Sequence, residues 1–486
     1  MNVVEMLVFA AYFIFMLGIG MYFFFKSKGA GEKDYFLGGR NMGAWVSALS
    51  AGASDMSAWV LMGLPASIYA FGIGQTWIAI GLGIGYALSW IFVAPRLRRF
   101  SIAAKDSITI PQYLTNRFLS GSKVLQVLCA SIFLVAYTIY AASSIKACGT
   151  LFNTVMNIDA TVAMYLAAFI IIAYTFLGGF SAVCWTDFFQ GLIMLAALLL
   201  APIFALALVG QGQGAANAQL PEGFFHFFTS PQDIISGLGW GLGYFGMPHI
   251  IIRFMSIKSQ AELKRSAKIG ISWTVLIVIF AAVIGVIGRI KLGLDDNIRA
   301  NELVFVEMVR MIFPGVISGI LLSAVLAASM STADSQLLAA SSAFASDVYK
   351  PLVSRNQASD RELLWIGRMV VLVVAMAALL LATNPKAGSI MGLVSNAWGV
   401  FGAAFGPAIL LSLFWRRFSI AGAIAGILIG AGVDILWIIC APISGIYELL
   451  PGFVAGFVGA IAVTLATKAP SQEVCELFDR AAKYED

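Results

Sequence analysis

The chain is 486 residues long, 60% hydrophobic and 11% charged, with a net charge of +5 and a mean hydropathy of +0.90. Soluble domains are about 45–50% apolar and about 25% charged, so these figures exclude a soluble globular enzyme, a disordered regulator and a nucleic-acid binder. They leave an integral membrane protein with many spans, because a dozen crossings of about 20 residues absorb most of the apolar content.

Thirteen apolar segments of spanning length follow one another: residues 3–25, 44–72, 75–95, 123–153, 159–178, 182–210, 232–255, 268–289, 314–346, 363–384, 389–415, 419–441 and 449–468. Each is too long for a barrel strand and is expected to be a helix, which satisfies its own backbone groups in lipid. The first lacks the basic stretch of a secretory signal and reads as a retained helix. The second and seventh segments are interrupted, by Ser50-Ala-Gly-Ala-Ser-Asp-Met-Ser57 and by Gly237-Leu-Gly-Trp-Gly-Leu-Gly-Tyr-Phe-Gly-Met-Pro248. Interrupted helices at corresponding places in two halves point to a transporter site built from inverted repeats. Gly422, Gly426 and Gly430 read instead as a close-packing stripe.

Charge sets the expected orientation. If the odd-numbered loops and the tail share one side, that side holds 24 of the 30 Lys and Arg residues. The positive-inside rule then places the N-terminus outside and the C-terminus in the cytoplasm of a plasma-membrane protein.

Few groups could do chemistry. There is no P-loop and no HExxH, and the GxGxxG at Gly241–Gly246 follows no strand. The five cysteines show no metal spacing, and two histidines are too few for an imidazole site. Ionisable residues at membrane depth are Asp55, Lys146, Asp187, Asp334 and Asp434. Each costs about 2.5–3.5 kcal/mol at a span centre and so calls for a partner or a function. Lys146 is expected to snorkel. Ala328, Ser331, Thr332 and Ser335 fall at helical spacing on one face beside Asp334. Such a hydroxyl stripe can supply two or three oxygens to a monovalent cation, with carbonyls freed in a broken helix supplying the rest. Trp59, Tyr140, Trp240 and Tyr244 adjoin the breaks or a polar helix and can enclose an apolar solute.

Five strings carry a resemblance: Asp34-Tyr-Phe-Leu-Gly-Gly-Arg40, Leu49-Ser-Ala-Gly-Ala-Ser-Asp-Met-Ser57, Gly178-Gly-Phe-Ser-Ala-Val-Cys-Trp-Thr-Asp187, Gly239-Trp-Gly-Leu-Gly-Tyr-Phe-Gly246 and Leu321-Leu-Ser-Ala-Val-Leu-Ala-Ala-Ser-Met-Ser-Thr332. With them the sequence from about Asp34 to Lys468 resembles the sodium/solute symporter family, and within it the proline-carrying branch. The resemblance implies an all-α, leucine-transporter-like fold of thirteen transmembrane helices, with helices 2 and 7 discontinuous. It forms one transport domain, 1–486: inverted repeats at about 44–210 and 232–415, extra helices 3–25, 419–441 and 449–468, and a cytoplasmic tail 469–486.

The resemblance also implies a sodium site of carbonyls from Ala53, Met56 and Ala328 and hydroxyls from Ser331 and Thr332, organised by Asp55. A second sodium or ion path is implied at Asp187, Asp334 and Ser335, although Asp334 stands where relatives with such a site carry serine. The solute positions are Ser57, Ala58, Trp59, Tyr140, Trp240, Tyr244, Met247 and Pro248. Of these, Ala58 and Met247 stand where proline carriers tend to have Gly and Gln. Arg40 matches an inner-gate arginine. The implied activity is sodium-coupled import of L-proline by alternating access. The partners are a small solute and the lipid bilayer, with no organic cofactor, no nucleic acid and no obligate protein partner.

Other readings stay open. A symporter of this fold for another amino acid, or for a short carboxylate such as pantothenate, fits the same residues, and proton coupling is a further alternative. A solute sensor or channel disagrees with the short tail, and an enzyme lacks a nucleophile–base or metal set.

Overall fold

The computed structural model describes residues 3–26, 31–177, 179–208, 220, 222–293, 295–300, 302–440 and 445–483. Gly178 of the quoted strings, residues 209–210 and 441 at the ends of expected segments, residues 1–2 of the expected domain and tail residues 484–486 lie outside the described residues. Among the described residues there is no strand, and one bridge pairs Met42 with Ile257. Ten helices are long and apolar enough to cross a membrane. The chain is therefore an all-helical, multi-pass membrane protein.

Helix α1 (Val3–Lys26) and the short α2 (Glu32–Leu37) meet a corner where Gly38, Gly39 and Arg40 all take positive φ, at 63°, 62° and 58°. Two consecutive glycines tolerate this, and a side chain at either would meet resistance. α3 (Ala44–Asp55) then stops, and the chain resumes as a wide turn, Trp59–Gly63, running into α4 (Leu64–Phe71) with Pro65 in its first turn. α5 (Thr76–Leu88) continues through another wide turn, Ser89–Val93, into α6 (Ala94–Ala103). The helix outruns the expected end near residue 95. Arg96 and Arg98 are accommodated because their Nε groups donate to the carbonyls of Leu413 (2.9 Å) and Ile257 (2.8 Å).

After α7 (Ile110–Arg117) come the long α8 (Val124–Met156), α9 (Ala160–Leu177) and α10 (Phe180–Leu208). The second interrupted stretch is α11 (Pro231–Gly239), a tight turn Trp240–Phe245, and α12 (Pro248–Ser256). α13 (Gln260–Leu292), the short α14 (Asp296–Ala300) and α15 (Val304–Ile312) lead to α16 (Gly315–Phe344). α16 is buried over most of its length and prolonged by a wide turn, Ala345–Val353. α17 (Asp360–Ala382), α18 (Ile390–Phe414), α19 (Ile420–Cys440), α20 (Leu449–Ala466) and the tail helix α21 (Gln472–Lys483) complete the chain.

A close approach packs the second broken stretch against α5. A Cβ on Gly85 of α5 would lie 2.1 Å from the Gly241 carbonyl, so backbone meets backbone there. The Gly422–Gly426–Gly430 stripe packs as expected: Cβ atoms there would strike Thr464, Ala460 and the Ala403 carbonyl. Lys146 lies on α8 and its Nζ donates to the Gly388 carbonyl in the α17–α18 loop.

Candidate ion and solute site

The break after α3 exposes polar backbone where lipid would forbid it, and it is tolerated because residues 56–58 are fully enclosed by protein. Met56 N–H still donates to Gly52, but the Ser57 N–H turns to the Asp55 carbonyl at 2.8 Å. The Ala53 carbonyl thereby loses its ordinary helical donor and faces α16. There the Ser331 hydroxyl lies 2.7 Å from it and the Thr332 hydroxyl 3.5 Å. Ser331 Oγ is also 3.2 Å from the Ala328 carbonyl. Four of the five expected sodium ligands thus converge at the junction of α3 and α16. Met56, at φ −76° and ψ 71°, forms the cap beside them.

Asp55, fully buried, faces the other broken stretch. Its Oδ2 accepts from Tyr244 Oη at 2.5 Å, and its main-chain carbonyl accepts from Trp59 Nε1 at 3.2 Å and Tyr140 Oη at 3.5 Å. Three of the aromatics named for the solute therefore gather around one residue of the break. Ser57 and Ala58 lie buried in the same turn. Met247 caps α12 and Pro248 opens it.

Trp240 sits farther out. It stacks on Tyr447 with ring centroids 4.7 Å apart, and its carbonyl accepts from Trp398 Nε1 at 2.9 Å. It also walls a cavity of about 520 Å³ that is lined further by Gly63, Ser67, Glu302, Met391 and Ser395.

Asp187 and Ser335 are brought together, but by a residue outside the expected set. Arg253 of α12 donates through Nη2 to Asp187 Oδ2 at 3.0 Å and to Ser335 Oγ at 2.5 Å. Its Nε donates to Ser50 Oγ at 2.8 Å, and Ser50 in turn donates to Asp187 Oδ2 at 2.7 Å. Asp334 lies beside this group and accepts from Ser335 at 3.3 Å. The signal for Arg253 was present in the sequence, a single cation in Ile250-Ile-Ile-Arg-Phe-Met255. Its place two residues from the expected end of the segment reads as a loop charge, whereas it is 1% exposed.

Arg40, expected at an inner gate, is buried among polar partners. Its guanidinium donates to Asp106 Oδ1 (2.8 Å), Ser101 Oγ (3.1 Å) and the carbonyls of Met255 (2.6 Å) and Ser107 (2.8 Å). Lys33 pairs with the same aspartate. Asp434 is remote from both ion clusters. It is buried where α19 passes Gly399 of α18, near Glu448. His249, absent from the expected set, packs edge-on against Tyr137 and Tyr140.

A profile of the sodium:solute symporter family matches residues 35–430, which take in both breaks, the α16 stripe and Arg40. The chain belongs to the sodium:solute symporter family. As a member of that symporter family it is a transporter and not an enzyme. It is 44% identical over 473 residues to the high-affinity proline transporter PutP of Bacillus subtilis (strain 168), covering 96% of this chain and 98% of that one. It is 42% identical over 462 residues to the sodium/proline symporter of Escherichia coli (strain K12), covering 92% and 90%. Among solved structures it superposes on a sodium-coupled sialic acid symporter in a substrate-bound, outward-open state. The TM-score is 0.78 at 23% identity, over 96% of this chain and 98% of that one. That likeness shows a shared fold for this symporter-family chain.

Proposed function

We propose that this protein imports L-proline across the plasma membrane by sodium-coupled symport with alternating access. The observation that carries the reading is the Ala53 carbonyl, released by the break in α3 and met by the hydroxyls of Ser331 and Thr332. Hydroxyls now bonded to carbonyls rotate readily, so together with the carbonyls of Ala53, Ala328 and Met56 they can offer a sodium ion five oxygens. Both named relatives are proline transporters, which favours proline over another amino acid or a short carboxylate such as pantothenate.

In this reading Ser57, Ala58, Trp59, Tyr140, Trp240, Tyr244, Met247 and Pro248 hold the solute. The positive end of α12 favours the carboxylate, and the aromatics enclose the ring. Asp55 organises the ion site from between Ala53 and Met56 without touching the hydroxyl stripe. The two broken stretches and α9, taken with the ten long helices, make thirteen crossings. They form one transport domain, with inverted repeats over about 44–210 and 232–415. The positive-inside rule puts the N-terminus outside and the tail and the Arg40 cluster in the cytoplasm. Arg40 then holds the inner side closed while the cavity beside Trp240 opens outward.

One sodium is thermodynamically sufficient. A 100 mV potential and a tenfold sodium gradient together supply about 3.7 kcal/mol, enough for roughly 500-fold accumulation of a zwitterion. No organic cofactor takes part. The test is uptake of radiolabelled L-proline into proteoliposomes under an imposed sodium gradient, with competition by other amino acids and carboxylates. Uptake that persists when sodium is replaced, or that pantothenate competes for better than proline, overturns the reading.

A further inference from the structure

We infer that Arg253 is a tethered cation that takes the place of a second sodium ion, so that a single sodium accompanies each solute. The inference rests on the sodium-coupled reading above. A second cation at Asp187 needs the carboxylate and the neighbouring hydroxyls as ligands, since oxygens must replace its water shell. Of these, the Asp187 Oδ2 oxygen and the hydroxyls of Ser335 and Ser50 are already engaged by the guanidinium. Arg253 Nη2 lies 3.0 Å from Asp187 Oδ2 and 2.5 Å from Ser335 Oγ, and Nε lies 2.8 Å from Ser50 Oγ. Ser50 spends its own proton on Asp187 Oδ2 at 2.7 Å, and Ser331 is turned to Ala53.

The remaining Nη1 donates to the His249 carbonyl, and the Phe180 ring covers the guanidinium at 5.6 Å. Side-chain exposure is 2% for Arg253 and 0% for Asp187, so the pair is sealed from water. Arginine keeps its charge in any accessible condition, and its fork presents several donors at once. It therefore neutralises Asp187 permanently. It also links α3, α10, α12 and α16 as a bound ion would, without being released to the cytoplasm in each cycle.

The experiment uses the full chain in proteoliposomes with sodium gradient and potassium-diffusion potential set independently. The reversal potential of L-proline flux then gives the charges moved per solute. The unaltered protein is expected to move one charge per proline with a hyperbolic sodium dependence. Arg253→Met leaves Asp187 open to a cation and is expected to raise the ratio to two, with a sigmoidal sodium curve. Arg253→Met combined with Asp187→Asn is expected to return it to one. A ratio of two in the unaltered protein, or of one in an active Arg253→Met, overturns the proposal. If Arg253→Met does not accumulate in the membrane, the unaltered ratio together with that of the double variant decides, and a ratio of two in either rejects it. Sodium-independent flux removes the symport reading as well, whereas a sodium-driven ratio of two removes only this one.

Discussion

The Tyr244 hydroxyl donates to the Asp55 carboxylate across 2.5 Å, and this bond ties the tight turn before α12 to the end of α3. Two residues before Asp55, the Ala53 carbonyl faces the hydroxyls of α16. One short segment therefore touches the proposed ion site on one side and the proposed solute site on the other. If sodium and solute favour the same arrangement of that segment, each must raise the other's affinity by the same factor.

Ser331→Ala and Thr332→Ala each remove one oxygen from the ion site. A lost hydrogen-bonding partner at a buried polar site costs about 1–3 kcal/mol, or roughly 5- to 150-fold in affinity. The sodium concentration for half-maximal uptake is expected to rise within that range, measured by uptake against sodium at fixed proline. An unchanged value takes the hydroxyl out of the site.

Tyr244→Phe keeps the ring and deletes the donor to Asp55. A hydrogen bond to a charged group contributes about 1.5–3 kcal/mol, so the variant is expected to weaken sodium and proline binding together, by roughly tenfold or more. Trp240→Ala deletes a ring stacked on Tyr447 at the cavity wall. It should weaken proline binding while the sodium response stays within about twofold. Binding isotherms for both ligands distinguish the two patterns.

Arg40→Ala abolishes four hydrogen bonds that join the α2–α3 corner to the 101–107 segment and the end of α12. The expected result is a lower maximal uptake rate with little change in half-saturating proline, because the closed inner side is weakened and the solute site is not. Arg40→Lys should recover part of the rate. Equal rates in all three proteins would separate Arg40 from gating.

Gly85→Leu forces a side chain into the Gly241 backbone, where a Cβ already lies at 2.1 Å. Overpacking of this kind costs about 1–3 kcal/mol, and more where backbone is the obstacle. The detergent-solubilised variant should melt several degrees lower than the unaltered chain. Gly83→Leu is the control, because nothing lies within 4 Å of a Cβ there.

The tail helix α21 is held to the bundle partly by Arg416, whose Nη2 lies 2.9 Å from Asp479 Oδ2. The arginine lowers the Asp479 carboxyl below its usual 3.8. A depressed native value means that the docking contribution is present above pH 3.8 and is lost as pH falls through the native value. Both side chains are well exposed, so the effect is small and screened by salt. Proteolysis of the tail with an acid-tolerant protease should accelerate as pH falls below 3.8, and Arg416→Gln should flatten that dependence.

Much of this site was legible in the chain itself. Ala328, Ser331 and Thr332 stand at helical spacing, and α16 is indeed a helix, so they share a face. The break at residues 53–57 was legible because small and polar residues interrupt an apolar run. Arg253 was absent from the expected site residues for a physical reason. Hydropathy averages over a window, and one arginine near the end of a span looks like a loop charge until its partners are known. Asp187, Ser50 and Ser335, the partners, are 66, 203 and 82 residues away. The stacking of Trp240 on Tyr447 lay beyond reach for the same reason.

The amino-acid order alone determined that this is a many-spanning helical membrane protein, where two of its apolar segments break and which face of α16 is polar. Those properties follow from local transfer energies and from a 3.6-residue period, and both are written into short windows of chain. Only the tertiary structure decided which hydroxyl meets which freed carbonyl and which cation faces Asp187. Such pairings depend on helices far apart in sequence being packed side by side, and no local pattern encodes that distance.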